Sequence, residues 1–92
     1  MKKLKKYNHF RQYGEHKDNE FFILATSRKN VVELLEKVGI FNIGVNTVKN
    51  YFHEAWGDQG EELLKNEELT EPCIYIVKSN GLKLEGEPTK LI

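Results

Sequence analysis

The sequence predicts a single α+β domain in which an antiparallel sheet, made of two hairpins, carries two or three helices on one face. Three observations lead to this prediction. The 92 residues suffice for one small domain. Segments typical of strands stand near both ends of the chain, and segments with helical spacing of apolar residues lie between them. The resulting order, β-β-α-α-α-β-β, places one hairpin on each side of a central helical block.

The first hairpin is predicted from Tyr7–Tyr13 and Glu20–Ala25. Large side chains alternate along Tyr7–Tyr13, which is typical of an edge strand, and Tyr7 and Tyr13 are expected to be exposed. Glu20–Ala25 is nearly continuous in apolar residues, as in a strand buried on both faces. The predicted organisation is a basic flexible N-terminus at 1–6, a domain at 7–85 and an irregular tail at 86–92.

The first two helices are predicted from their caps and stops. Thr26 or Ser27 caps the first helix, whose apolar stripe ends at Gly39 in a left-handed turn. The second helix takes Asn46 as its cap and runs towards Gly57. Because β-branched and aromatic residues weaken helices, part of this second segment is open to an extended conformation.

A third helix is predicted over residues 59–66. Asp58 is its expected cap, and Glu61 follows in capping-box spacing. Pro72 then ends the helical region.

The second hairpin is predicted from Cys73–Lys78 and Leu82–Glu85. Asn80-Gly81 between them is the strongest turn signal in the chain. This turn sets two cross-strand pairs, Val77 with Leu84 and Ser79 with Leu82.

The cysteine content and the length of the apolar runs indicate in which cellular compartment the protein is located. Cys73 is the only cysteine, so no disulfide forms within the chain, and a cysteine among β-forming residues is typical of a buried hydrophobe. No apolar run is long enough to span a membrane, and no secretion signal is predicted. Together these features indicate a cytoplasmic protein without a membrane partner.

The neutral net charge conceals two oppositely charged blocks. Residues 1–17 hold six basic side chains and one acidic side chain, whereas residues 51–72 hold seven acidic side chains and one basic side chain. Such blocks indicate a solvated tail and a solvated helix face, or sites for partners of opposite sign.

No catalytic or metal-binding pattern is found. The histidines, at positions 9, 16 and 53, have no ligand spacing with Cys73 or with one another. Adjacent glutamates at 61–62 and 67–68 point about 100° apart on a helix, so neither pair converges on one reacting atom. The glycines form no phosphate loop. The sequence therefore predicts a chain that is not an enzyme and has no catalytic residue, metal or cofactor.

The main hypothesis is a small binding module that acts on a protein partner. One version has the acidic block imitating nucleic-acid phosphate, as an inhibitor that occupies a basic groove. Unpaired hairpin edges leave association between copies of the chain open. The candidate contact residues are Tyr7, Arg11, Tyr13, Glu54, Asp58, Glu61, Glu62, Glu67 and Glu68.

The alternative is a DNA-binding regulator that uses residues 28–56, where an apolar helix precedes a polar-started one as in a helix-turn-helix. The link between the two helices is longer than usual, and Lys49 is the one cation of the candidate reading helix, whereas phosphate contacts need several. The candidate DNA-binding residues are Lys2, Lys3, Lys5, Lys6, Asn46, Thr47, Lys49 and Asn50.

Two segments of the chain resemble small phage and prophage proteins. The first is 11–29, with Arg11-Gln12-Tyr13-Gly14 and Phe21 to Lys29. The second is 46–58, with Asn46 to Phe52 and Trp56-Gly57-Asp58. The similarity covers roughly residues 11–77, although those proteins often have Thr-Gly-Asn where this chain has Trp56-Gly57-Asp58. The resemblance transfers no established activity. It implies a mobile-element setting, in which small proteins often bind and block or redirect a larger one.

Overall fold

The computed structural model describes residues 3–9, 19–41, 43–80 and 83–92. Within these residues the chain forms four strands and three helices in the predicted order, so the α+β class is confirmed. The strands lie side by side in chain order, and each neighbouring pair is antiparallel. The elements are β1 (Lys5–His9), β2 (Asn19–Ala25), α1 (Arg28–Lys37), α2 (Val45–Tyr51), α3 (Gly57–Leu63), β3 (Cys73–Asn80) and β4 (Lys83–Lys90).

Two helices, α1 and α2, share one face of the sheet, as predicted. Alternate strand residues point to this side and meet apolar residues of both helices. We call this layer the α1–α2 face. Its buried members are Tyr7, Phe21, Ile23, Ala25, Val31, Leu34, Leu35, Ile40, Val48, Phe52 and Ile74.

The third helix packs on the opposite face, contrary to the expectation of a single helical layer. The intervening strand residues point to this side and pack against α3 and the residues that flank it. We call this layer the α3 face. Its buried members are Phe22, Leu24, Trp56, Leu64, Cys73, Tyr75 and Val77.

The chain passes between the two faces around the outer edge of β1. After α2 ends at Tyr51, the backbone of His53 exchanges two hydrogen bonds with Asn8, of 2.8 and 2.9 Å. Unpaired backbone groups at a sheet edge are readily paired by another segment. The second helix therefore stops well before its predicted end at Gly57, because the residues after it are extended along the sheet edge.

Trp56 anchors the start of α3. Its indole N–H donates to the carbonyl oxygens of Tyr7 and Ile23, at 3.0 and 3.3 Å, and its side chain is buried. The helix therefore begins at Gly57, with Trp56 in the N-cap position, and the predicted cap at Asp58 is wrong. A tertiary anchor, which spacing along the chain does not reveal, sets this helix start.

Gly60 allows α3 to approach the sheet closely. A β-carbon at this position would lie 2.8 Å from Cδ1 of Phe22, closer still to its Cε1, and 2.9 Å from Cβ of Trp56. The two rings meet edge to face, with centroids 6.1 Å apart. Only glycine fits this contact without moving buried neighbours.

The cap of the first helix is confirmed, and that of the second is corrected. The Ser27 hydroxyl accepts from the Asn30 amide at 3.1 Å, and Gly39 has the expected positive φ of 85°. In α2 the N-cap is Gly44, and Asn46 lies within the helix. The second segment is helical only over Val45–Tyr51.

The predicted register of the second hairpin is wrong by two residues. Ser79 pairs with Leu84 instead of Leu82, and Asn80 pairs with Lys83; the predicted partner Leu82 lies outside the described residues. The predicted and observed registers keep every side chain on the same face of the sheet. The alternation of apolar and polar residues therefore could not distinguish the two registers.

Both edge strands differ in extent from the prediction. β1 begins at Lys5, inside the predicted flexible N-terminus, and its predicted continuation to Tyr13 lies outside the described residues. β4 continues to Lys90 through most of the predicted irregular tail, with a change of register between Ile76 and Lys78. This irregularity accommodates the extra β4 residues, including Pro88, which cannot donate to a ladder.

Candidate functional site

The two charged blocks of the sequence meet in space at β1. Glu54 lies 3.6 Å from Lys5 and 3.7 Å from Arg28, and the ammonium of Lys6 donates to both carboxylate oxygens of Glu61 at 2.6 and 2.9 Å. The same ammonium lies 5.0 Å from the centroid of the Trp56 ring. Lys5 and Lys6 of the basic block therefore pair with acids of the acidic block, which corrects the expectation that the two blocks are separate.

Four exposed acidic side chains line one side of the α3 face. We call Asp58, Glu62, Glu67 and Glu68 the acidic rim. All four are exposed, and only Glu62 has an ion pair among the described residues, with Lys65 at 2.7 Å. Because both partners are highly exposed, this pair contributes little to stability.

The first part of the rim borders an apolar cleft between α3 and β4, which we call the leucine cleft. It has a volume of about 360 Å³, and Leu63 and Leu84 are its apolar walls. Asp58 and Glu62, one helical turn apart, stand beside them. A cleft of this kind suits a side chain with an apolar stem and a basic end.

The second part of the rim borders a cleft above β3 and β4, which we call the tyrosine cleft. It has a volume of about 480 Å³ and is lined by Asn66, Glu67, Glu68, Tyr75, Pro88 and Lys90. Tyr75 is buried and pairs across the strands with Lys90. Burial raises the pKa of the Tyr75 hydroxyl, and the negative charge of Glu67 raises it further. The hydroxyl is therefore neutral at physiological pH and stands in a negative field.

The predicted aromatic contact residues do not join this site. Tyr7 is 1% exposed, because it faces the helices across from Ile23 and the Arg28 guanidinium lies 5.8 Å from its ring centroid. Its predicted exposure is wrong. Arg11 and Tyr13 lie outside the described residues.

The predicted DNA-binding residues fall into two groups. Asn46, Lys49 and Asn50 are exposed on α2, and Thr47 is half-buried. At the N-terminus Lys3 is exposed, Lys2 lies outside the described residues, and Lys5 and Lys6 pair with acids. Because α2 spans only seven residues, it presents about two turns to a groove. The DNA-binding hypothesis stays a prediction.

Sequence reasoning missed the side chains that form the floors of the clefts. Leu63 meets Leu84 in the leucine cleft because α3 crosses to the second face, and Tyr75 meets Lys90 in the tyrosine cleft because β4 runs on to Lys90. The one sequence signal was the alternation of Cys73, Tyr75 and Val77, which places Tyr75 on one side of β3. No signal indicated which layer would cover that side.

The surroundings of Cys73 and of the potential metal ligands indicate which reactive groups the described residues offer. Burial raises the pKa of the Cys73 thiol, which disfavours the reactive thiolate. Among the described residues, no three side chains of His, Cys, Asp or Glu are grouped so as to hold a metal ion. No helix in those residues combines the length and apolar composition needed to cross a bilayer.

The fold and the site define an α+β domain with a four-stranded antiparallel sheet, helices on both faces and an acidic rim beside one of them. No protein-family model, curated protein or solved structure matches this chain.

Proposed function

We propose that this chain is a non-enzymatic protein-binding module that uses the acidic rim to bind a basic segment of its partner. The observation that carries this proposal is that the acidic residues fall into two groups with different surroundings. Glu54 and Glu61 are already paired, with Lys5 and Arg28 in one case and with Lys6 in the other. The four rim acids instead line the leucine and tyrosine clefts.

The composition of the two clefts supports a protein partner. Stable interfaces have a closely packed apolar centre within a polar border. In the leucine cleft, Leu63 and Leu84 form such a centre, and Asp58 and Glu62 form the border. A segment with alternating apolar and basic side chains would fit both features.

Imitation of nucleic acid is the narrower version of the same proposal. In this version the rim occupies the phosphate-binding groove of a nucleic-acid-binding protein, and phosphate grooves are rich in lysine and arginine. Glu61 already accepts hydrogen bonds from Lys6, so it is left out of this version. The phage or mobile-element origin suggested by the resemblance over residues 11–77 also belongs to the proposal.

Selection from a library of random peptides tests the proposal, because it does not require a named partner. The full chain is immobilised, and the selected peptides are expected to be enriched in lysine and arginine. Their binding should fall at least about tenfold when Glu67→Gln and Glu68→Gln are combined, since two charge-assisted contacts are removed. It should also weaken as salt is raised.

A matched control places the same charge change on the other side of the molecule. Glu33→Gln combined with Glu36→Gln neutralises two exposed acids of α1, on the α1–α2 face. This variant is expected to bind the selected peptides like the unmodified chain. Selected peptides without basic residues, or equal losses in the two double variants, would refute the proposal.

A further inference from the structure

Tyr75 presents a polar group to the tyrosine cleft without a protein partner. The residue is 4% exposed, yet its hydroxyl makes no hydrogen bond with any residue that the structure describes. The ring is enclosed, but the hydroxyl oxygen is not fully buried and opens into the cleft, where solvent reaches it. A hydroxyl in this position can exchange its water contacts for a hydrogen bond to a ligand.

The charges around the Tyr75 hydroxyl favour a cationic ligand. Glu67 and Glu68 are exposed and have no ion pair among the described residues, and Lys90 is the one cation among the described residues that line the cleft. Two carboxylates and one ammonium leave a net negative charge. The tyrosine oxygen can accept a hydrogen bond from an ammonium or guanidinium group while the carboxylates neutralise its charge.

We propose that the tyrosine cleft receives a lysine or arginine side chain of the protein partner. The basic group donates to the Tyr75 hydroxyl oxygen and pairs with Glu67 and Glu68, while its aliphatic stem packs along Pro88. Lys90 lies directly across the strands from Tyr75 and repels the incoming cation. This inference rests on the proposed function and names the part of the partner that enters this cleft.

Titration of the full chain with end-blocked tetra-arginine and tetra-lysine peptides tests the inference, and end-blocked tetraglutamine serves as the uncharged probe. NMR is expected to show perturbation of the Tyr75 ring and of the backbone amides of residues 66–68, 89 and 90, with a dissociation constant of about 1 mM or below for at least one basic peptide. Tetraglutamine should not bind.

Three variants of the cleft and one control test the inference, and Tyr75→Phe separates it from general attraction because it changes no charge. Tyr75→Phe keeps the ring in place and should weaken binding about fivefold, because one hydrogen bond to a charged group is lost. Glu67→Gln with Glu68→Gln should weaken it at least about tenfold. Lys90→Gln should strengthen it about threefold, because a like charge is removed. Glu33→Gln with Glu36→Gln should leave it unchanged.

The outcomes distinguish failure of the inference from failure of the proposed function. If Tyr75→Phe binds as tightly as the unmodified chain, or if Lys90→Gln weakens binding, the inference is overturned. The proposed function still stands in that case, provided that basic peptides selected at random depend on Glu67 and Glu68. Perturbations confined to the leucine cleft would likewise overturn the inference alone. Loss of the native amide spectrum in Tyr75→Phe would leave the Lys90 and glutamate variants to decide.

Discussion

The two faces of the sheet are covered to different extents. The α1–α2 face lies under a ten-residue helix and a seven-residue helix, whose apolar residues enclose Phe21, Ile23 and Ile74. The α3 face lies under one seven-residue helix and the segment that follows it. The clefts beside the acidic rim occur where this shorter cover ends, next to β4. An incompletely covered sheet face thus leaves apolar and aromatic side chains within reach of a partner.

The means of attachment also differ between the faces. The α1–α2 face is held mainly by burial of aliphatic and aromatic side chains. The α3 face combines burial with the indole bonds of Trp56, the close contact at Gly60 and the ion pair between Lys6 and Glu61. A short helix with few apolar residues requires such specific contacts, because it buries little area.

Among the contacts that attach the α3 face, removal of Trp56 is expected to lower the free energy of unfolding most. Trp56→Ala should lower the free energy of unfolding by about 3–5 kcal/mol, because it leaves a large cavity and frees α3 from the sheet. Trp56→Phe keeps most of the packing and loses the indole hydrogen bonds, so it should cost about 1–2 kcal/mol. Urea denaturation followed by far-UV circular dichroism measures the free energy of unfolding of both variants. Tryptophan fluorescence is unsuitable, because Trp56 is the only tryptophan and both variants lack it. A loss below about 1 kcal/mol for Trp56→Ala would show that α3 does not depend on this anchor.

An added methyl group at Gly60 should have an intermediate effect. Gly60→Ala brings a β-carbon against Phe22 and should cost about 1–3 kcal/mol through overpacking, reduced by about 1 kcal/mol of gained helix propensity. Gly44→Ala is the matched control at the start of α2, where no described atom lies within 4 Å of the added carbon. Its effect should stay below about 1 kcal/mol. Equal thermal stabilities of the two variants would contradict the close contact.

Neutralisation of Glu20 should have the smallest effect. This β2 residue lies on the α3 side beside Asn8, and burial raises the pKa of its carboxyl above 4.5, opposed by a hydrogen bond from Asn8. The folded state therefore holds the proton more tightly than the unfolded state. The associated stability is present below the ordinary pKa and is lost as pH rises through the folded pKa.

Glu20→Gln should consequently stabilise the chain at pH 7, by on the order of 0.5 kcal/mol, and the gain should disappear near pH 3. Glu87→Gln, at an exposed position of β4, is the matched control and should change little at either pH. Urea unfolding at the two pH values measures the difference. A gain that persists at low pH would exclude desolvation of the carboxylate as its cause.

Local patterns were sufficient for most of the fold. The Ser27 cap, the stop at Gly39 and the apolar stripe between them depend on neighbours within a few residues, and the structure confirms them. The strand at Cys73 is likewise a local feature, and its cysteine is buried as predicted. The exposed acids of the rim, on α3 and in the segment after it, were also identified from the sequence, because aspartate and glutamate are rarely buried.

Short-range periodicity and charge therefore specify the α+β class, the order of the elements and the acidity of α3 without reference to the rest of the chain. The crossing of α3 to the second face, the pairing of the basic start with Glu54 and Glu61, and the place of Tyr75 at the floor of a cleft became visible only in three dimensions. These features arise from contacts between residues far apart in the chain, such as Trp56 with the Tyr7 carbonyl. Spacing along the chain carries no information about such contacts, because they depend on which side of the sheet each helix covers.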